Sequence, residues 1–444
     1  VPHPDAGRPV RRRVAMPQLA AGLVVLAALG VTIGLTCAHP DALVTLLPST
    51  NMTDLHVDFD TFWHSAVALT QGADIYKTPA KLLNLNPPLL TVLMTPLAFL
   101  GSLPAYRLFA LLTLLMIVAA VLAVARELRL SRGWTAVATL ALLASSPLHG
   151  TLVLGQIYGL LLVGLAAGWI AERRGRPVLA AVLYGVTVAL KPSLAPLLLL
   201  PLAQRRWPPF RAGIAAAVLA SLLGVLVAGP ASGLEWLRIA LAEPVPDVVD
   251  NAALPGLAVR LGLPSVVGSV LGVIVVLGTL AWCATRTRRG AGVEPAGTAP
   301  WAVVASGLLL APIAWHNYLL LLWPGVLVLI ALGGRDRRAL VAVLLALPVI
   351  PVSWATLWPP EAPWSPVGRS LYCVILLGYW AALLLAAVAA RPGARPPVAE
   401  PGRPAEPGRP AEPGRPAEPE RPAEPERRAE PARTSNAVDH PQRL

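Results

Sequence analysis

Apolar runs dominate the chain, and they come in blocks too long for strands, separated by short polar breaks. From the N-terminus they cover Leu19 to Ala38, Ala105 to Ala125, Trp134 to Leu148, Gly159 to Ala171, Val178 to Leu190, Leu194 to Ala203, Ala212 to Ala228, Pro264 to Ala284, Pro300 to Ile313, Tyr318 to Leu332, Ala339 to Pro351 and Ser370 to Ala390. Runs apolar on every side read as helices surrounded by hydrocarbon or by one another. The pattern predicts an all-α polytopic membrane protein with about twelve transmembrane helices, several shorter than the ~20 residues a straight crossing needs and so broken or set into a cavity. Pro87 to Leu100 is apolar too. It is expected to be re-entrant or surface-lying, because a full crossing there would reverse the side of every later loop.

Composition agrees with a membrane solvent. Hydrophobic residues make up 55% of the 444 and charged residues 14%, with mean hydropathy +0.63, against roughly 25% charged in soluble domains. The net charge of +12 comes mainly from arginine in short clusters between apolar runs, which is a topology signal rather than a nucleic-acid footprint. Arg126, Arg129 and Arg132, then Arg173, Arg174 and Arg176, then Arg205, Arg206 and Arg211, then Arg286, Arg288 and Arg289, then Arg335, Arg337 and Arg338 fall at alternate connections, expected to be cytoplasmic. Arg11 to Arg13 precede the first run, which reads as an uncleaved helix with a cytoplasmic N-terminus rather than a signal peptide. Residues 1–18 are then a cytoplasmic segment, 19–390 the transmembrane domain with 39–86 as its first extracytoplasmic loop, and 391–444 a tail. The tail repeats Pro, Glu and Arg, with glutamates at Glu400, Glu406, Glu412, Glu418, Glu424 and Glu430, and no apolar face; it reads as disordered and cytoplasmic. Cys37, Cys283 and Cys373 lie in or beside apolar runs without metal-ligand spacing, so neither a disulfide framework nor a zinc site is expected.

Candidate chemistry gathers at the connections between the arginine clusters. The first loop, DLHVDFDTFWHSAVALTQGADIYKTPAKLLNLNPP from Asp54 to Pro88, holds Asp54, Asp58 and Asp60 beside His56 and His64. A positioned carboxylate is a natural acceptor for a proton leaving a hydroxyl nucleophile, and a hydrated acidic loop with no chemistry is the bland alternative. The run after Asp58 is amphipathic enough to lie on the membrane surface, with Phe59, Phe62, Trp63 and Val67 toward lipid. Lys191 is the one lysine beyond that loop, inside YGVTVALKPSLAPLLLLPL. An unpaired cation at membrane depth costs ~3 kcal/mol. Pro192 breaks the helix there, so Lys191 either meets an anionic head group or snorkels to the interface. Asn86, His149, Gln156, Asn251, Arg260, Trp315, His316 and Asn317 share the same side by alternation. Cations suit a phosphate, and amides and imidazole suit sugar hydroxyls. Trp315, Trp354, Trp358 and Trp364 suit sugar stacking or, by default, an interfacial belt.

Taken in order, DFDTFWHSAVALTQGADIY, NPPLLTVLMTPLAFL, LGQIYGLLL, GVTVALKPSLAPLLLLPLAQRRW, DNAALPGLAVRLG and APIAWHNYLLLLWP resemble the polyprenol-phosphate-mannose-dependent mannosyltransferases of glycosyltransferase family 87, over roughly Leu19 to Ala390. The resemblance implies a GT-C-like bundle in the inner membrane. It implies an inverting transfer of a sugar, mannose first, from a polyprenyl-phosphate donor to a glycolipid or glycan acceptor on the extracytoplasmic face. Asp58, with Asp60 as alternate, would be the general base; Lys191 and Arg260 would hold the donor phosphate; His64, Asn86, Gln156, Asn251, Trp315, His316 and Asn317 would contact substrate. The family often has a histidine two residues after the tryptophan matching Trp315, whereas here His316 and Asn317 follow it, so the contact falls to one of these. The Asn251 loop has alanine where a serine is common. A lipid monophosphate donor requires neither a metal nor another cofactor. The rival reading, a transporter or lipid-linked-sugar flippase, would place charges near the midplane and show related halves, and no such repeat is seen.

Overall fold

A computed structural model of the protein describes residues 16–38, 57–288, 297–350 and 365–389. They belong to one compact unit, Val1–Ala394; a second unit, Arg395–Leu444, lies outside the described residues. So do Asp54, His56, Trp354, Trp358, Trp364 and the repeats of the 391–444 tail.

Described elements are helical throughout: α1 (Met16–Ala38), α2 (Val57–Thr70), α3 (Pro88–Met94), α4 (Ser102–Glu127), α5 (Arg132–Leu143), α6 (Ser146–Leu154), α7 (Tyr158–Arg173), α8 (Pro177–Leu190), α9 (Pro196–Ala203), α10 (Trp207–Ala228), α11 (Pro230–Ala242), α12 (Leu254–Arg260), α13 (Ser265–Arg288), α14 (Ala299–Leu310), α15 (Trp323–Leu332), α16 (Arg335–Ala346) and α17 (Ser365–Ala389). Short 3-10 turns at Thr95–Phe99, Pro192–Leu194, His316–Leu322 and Leu347–Val349 join some of them. The core forms around α14 and α15, whose side chains are buried nearly end to end. By contrast α10 buries only Pro209, Gly213 and Gly224, and leaves Leu219 66% and Leu226 75% exposed. A helix that apolar on an outer face has hydrocarbon as its solvent.

Length separates these helices into two groups. Four stretches within α4, α10, α13 and α17 are long and apolar enough to cross a membrane, and the α5 and α6 pair, bent by 50°, makes a fifth if counted as one span. Gln18–Gly34, Pro88–Phe99, Pro177–Leu190, Pro192–Ala203, Ala299–Leu310 and His316–Leu332 are apolar but shorter. The expected dozen crossings therefore do not appear as a dozen full-length helices among the described residues. Pro88, Pro177, Pro196, Pro300 and Pro324 each sit in a first helical turn, where the missing N–H is harmless, and at Pro196 and Pro324 the proline falls within an apolar stretch and marks a break in it. The run expected from Tyr318 to Leu332 is a 3-10 turn followed by a ten-residue helix. Pro88–Phe99 is a short helix passing into a 3-10 turn, too short for a straight crossing.

The surface-helix expectation for α2 needs correction. Phe59 and Phe62 are buried, not lipid-facing. Phe59 packs its ring 5.6 Å from Tyr106 and 5.2 Å from Phe109 on α4. The apolar stripe of α2 had a protein neighbour available, and burying it there turns Asp58 into the molecule.

Candidate active site

Asp58 sits in the first turn of α2 and is drawn inward with Phe59. Its Oδ2 accepts a hydrogen bond of 2.6 Å from Gln156 Nε2. Gln156 occupies the break between α6 and α7, where Gly155 caps α6 in a left-handed conformation, φ 70°. Gly155 also lies against Phe59 so closely that a Cβ would collide with it, so glycine serves twice, for the turn and for the approach of Gln156 to Asp58. Loss of water raises the Asp58 pKa to about 6, against the opposing pull of the Gln156 hydrogen bond and the Lys191 charge.

Lys191 ends α8 in an extended conformation immediately before the Pro192 break. Its Nζ lies 3.4 Å from Asn86 Oδ1 and 5.5 Å above the Tyr318 ring. Asn86 is itself fixed: its backbone and side-chain N–H groups donate to Asn84 Oδ1 at 3.0 and 3.3 Å, and its carbonyl accepts from the Tyr76 hydroxyl at 3.0 Å. Asn84 is anchored in turn by donating to Ser65 Oγ at 3.0 Å. These bonds leave the Asn86 amide oxygen facing the lysine.

Asp58, Asn86, Gln156 and Lys191 thus converge as one group. Asp60 does not join them. Two residues on along a helix is a turn of about 200°, onto another face. There Asp60 pairs with His64 at 3.4 Å, both partly exposed.

The Asn251 and Trp315 segments form a second group, linked by an isolated antiparallel β-bridge between these two residues. Asn251 donates to the Pro312 carbonyl at 3.0 Å and accepts from Ala253 and Ala314 N–H at 3.2 and 3.1 Å. Its amide is occupied in tying the loops together. Arg260 is similarly committed: Nε, Nη1 and Nη2 donate to the carbonyls of Arg369, Val248 and Asn251 at 2.5, 2.7 and 2.7 Å. Beside them His316 is buried, with Nδ1 3.5 Å from Asp250 Oδ2 and Nε2 3.4 Å from Ser146 Oγ. Asn317 is buried against Gly150, and neither atom of its amide has a hydrogen-bond partner among the described residues. Trp315 is partly buried against the core.

At the far ends of the same helices the chemistry is different. Glu127 at the end of α4 receives Arg174 Nη2 at 2.9 Å and Arg173 at 3.6 Å, and Glu172 at the end of α7 receives Arg206 at 2.6 Å. α7 begins at Tyr158 beside Gln156 and ends at Arg173, while α8 returns from Pro177 to Leu190. At ~1.5 Å per residue a helix the length of α7 spans roughly 24 Å. Asp58 and Lys191 therefore share one end of this helix set, and the arginine clusters hold the other.

A sequence model of glycosyltransferase family 87 matches residues 84–312. The chain belongs to glycosyltransferase family 87. The match takes in Asn86, Gln156, Lys191, Asn251 and Arg260, while Asp58 precedes it and Trp315, His316 and Asn317 follow it. The enzyme is 28% identical over 337 residues to the polyprenol-phosphate-mannose-dependent alpha-(1-2)-phosphatidylinositol mannoside mannosyltransferase of Mycobacterium tuberculosis, covering 68% of this chain and 76% of that protein. It is 32% identical over 200 residues to an alpha-(1->3)-arabinofuranosyltransferase of the same species, covering 43% of this chain and 45% of that one. To the alpha-(1->3)-arabinofuranosyltransferase of Corynebacterium glutamicum it is 26% identical over 297 residues, 63% of this chain and 68% of that protein. Family and helices together make this a multi-pass membrane glycosyltransferase.

Arg260 offers a test of role within the family enzyme. Arg260→Ala strands three backbone carbonyls, and the expected cost is about 3 kcal/mol of stability. Arg260→Lys keeps the charge but loses the fork, so it is expected to unfold at nearly the same lowered temperature in detergent. A lysine variant with wild-type unfolding temperature would instead assign Arg260 a purely electrostatic task.

Proposed function

We propose that the enzyme transfers a sugar, with mannose the first candidate, from a polyprenyl-phosphate donor to a glycolipid or glycan acceptor on the extracytoplasmic face of the inner membrane. The observation that carries this reading is the convergence of Asp58 and Lys191 at one end of the helix set, opposite the arginine-rich end. Positive clusters collect on the cytoplasmic side, so the arginine end is cytoplasmic and the Asp58 end extracytoplasmic. On the same rule both termini are cytoplasmic.

In the proposed step Asp58 takes the proton of the acceptor hydroxyl. The freed oxygen attacks C1 of the donor sugar from the face opposite the phosphate. The bond from C1 to the phosphate oxygen breaks, and polyprenyl phosphate leaves carrying the negative charge that Lys191 meets. A single displacement of this kind inverts the anomeric centre and makes an alpha linkage from a beta-linked donor. A base with pKa about 6 is ionised at neutral pH and still basic enough to assist. In this scheme Asn251 and Arg260 would brace the loops beside the site, and Trp315, His316 and Asn317 would contact the acceptor. The acceptor class named for the mycobacterial relative, a phosphatidylinositol mannoside, is the first to try.

Two sugars have support from relatives, mannose and arabinofuranose. Membranes containing the enzyme are incubated with radiolabelled polyprenyl-phosphate mannose or polyprenyl-phosphate arabinose, and label in glycolipid is followed. Transfer from the mannose donor well above that from the arabinose donor is expected. Label that stays on the polyprenyl carrier with both donors would remove the reading and return the transporter hypothesis.

A further inference from the structure

Asp58 and Lys191 are connected through two tyrosines that the proposed step leaves unused. Tyr158 lies within electrostatic range of Asp58 and of Tyr318, and the Tyr318 ring carries the Lys191 ammonium above it. The two rings stand 4.5 Å apart, tilted by 46°, and both side chains are fully buried. Each comes two residues after another candidate, Tyr158 after Gln156 and Tyr318 after His316, so the same turns deliver them to the site.

Their hydroxyls have at best each other. Neither finds any other hydrogen-bond partner among the described residues. Two hydroxyls hold two protons, and if one O–H donates to the other oxygen, the second proton still lacks an acceptor. A buried donor without an acceptor is costly and rare in folded proteins. Here it occurs beside a lysine and a carboxylate that mark the reacting centre, where a bound ligand can supply the acceptor.

We propose that the hydroxyls of Tyr158 and Tyr318 donate to the phosphate oxygens of the lipid-linked donor, forming with Lys191 a cradle that is complete only when donor is bound. A phosphate is the ligand that fits, because the adjacent cation draws an anion and phosphate oxygens accept several hydrogen bonds at once. This inference rests on the reading that the donor is a polyprenyl-phosphate sugar.

The test removes only the hydroxyls. Tyr158→Phe, Tyr318→Phe and the double variant of the full chain are purified, and initial rates are measured while polyprenyl-phosphate mannose and acceptor are each varied. Each hydrogen bond to a charged oxygen is worth about tenfold, so kcat/KM for donor should fall about tenfold per hydroxyl while acceptor KM stays put. Without donor, the double variant should unfold no lower than wild type, since it has lost a donor that the empty fold does not satisfy. Tyr184→Phe is the control. Its hydroxyl is also buried without a hydrogen-bond partner but faces Glu172 and Arg206, and it should transfer like wild type.

Phenylalanine variants with wild-type donor dependence would overturn the proposal, as expected if the hydroxyls merely trap a water. A double variant that unfolds well below wild type would overturn it too, by showing that the fold already satisfies both groups. Asp58→Asn and Lys191→Ala are assayed alongside. If they lose transfer while the phenylalanine variants do not, only the cradle fails; if they keep it, the reading beneath it fails.

Discussion

Replacing Asp58 by asparagine should lower sugar transfer by about 10²- to 10⁴-fold, the range a positioned general base contributes. The substitution changes little else. Asparagine keeps an oxygen where Gln156 Nε2 donates at 2.6 Å, so the contact between α2 and the α6 to α7 break can persist. It also removes a carboxylate whose charged form burial disfavours, so the unfolding temperature at neutral pH should not drop. Activity and stability are thereby separable, and a variant that unfolds like wild type yet transfers nothing implicates the proton. The wild-type pH profile carries the same information. Because the base must be ionised, kcat/KM should climb about tenfold per pH unit below about 6 and level off above it. Wild-type rates from Asp58→Asn would remove this residue from the mechanism, and a flat profile between pH 5 and 7 would move the base elsewhere.

Much of this site is legible in the sequence through contrast. Lys191 is conspicuous because a lysine inside an apolar run needs a reason, and the proline after it supplies a break in the helix. Asp58 stands out in the same way, as part of an acidic loop in a chain poor in charge. Choosing between Asp58 and Asp60 takes the helix itself, which turns one carboxylate inward to Gln156 and the other toward His64. Arg260 is the reverse case. Its charge implies a phosphate, yet its guanidinium nitrogens all bond to backbone carbonyls from three separate segments, which only tertiary structure can bring together. Asn84 and the hydroxyls of Tyr158 and Tyr318 leave no mark in the pattern, because amides and tyrosines at helix breaks are ordinary residues until their partners, or lack of partners, are seen. Hydropathy finds the helices but not every break inside an apolar stretch, such as the proline that opens α9 or the 3-10 turn that precedes α15.

Lys191→Ala should cost about 10²- to 10³-fold in kcat, the scale seen when a group aimed at developing charge is removed. The ammonium contacts Asn86 Oδ1 and the Tyr318 face, so its loss leaves no opposite charge buried without its cation except Asp58, and the chain should still insert and fold. That exception gives a second readout with a definite sign. Lys191 lowers the Asp58 pKa, so without it the carboxylate should titrate above its wild-type value of about 6. The acid limb of the pH profile should therefore move to higher pH. Rates must be compared on the plateau, near pH 8, so that protonation of Asp58 is not mistaken for lost phosphate stabilisation. Lys191→Arg restores the charge and should hold the acid limb near its wild-type position, while the bulkier guanidinium recovers only part of kcat. A lysine that merely snorkels toward the interface predicts something else. Lys191→Ala would then keep wild-type donor dependence, and the acid limb would stay where it was. The two limbs of the experiment thus test one electrostatic claim from opposite sides, at the phosphate that leaves and at the carboxylate that takes the proton.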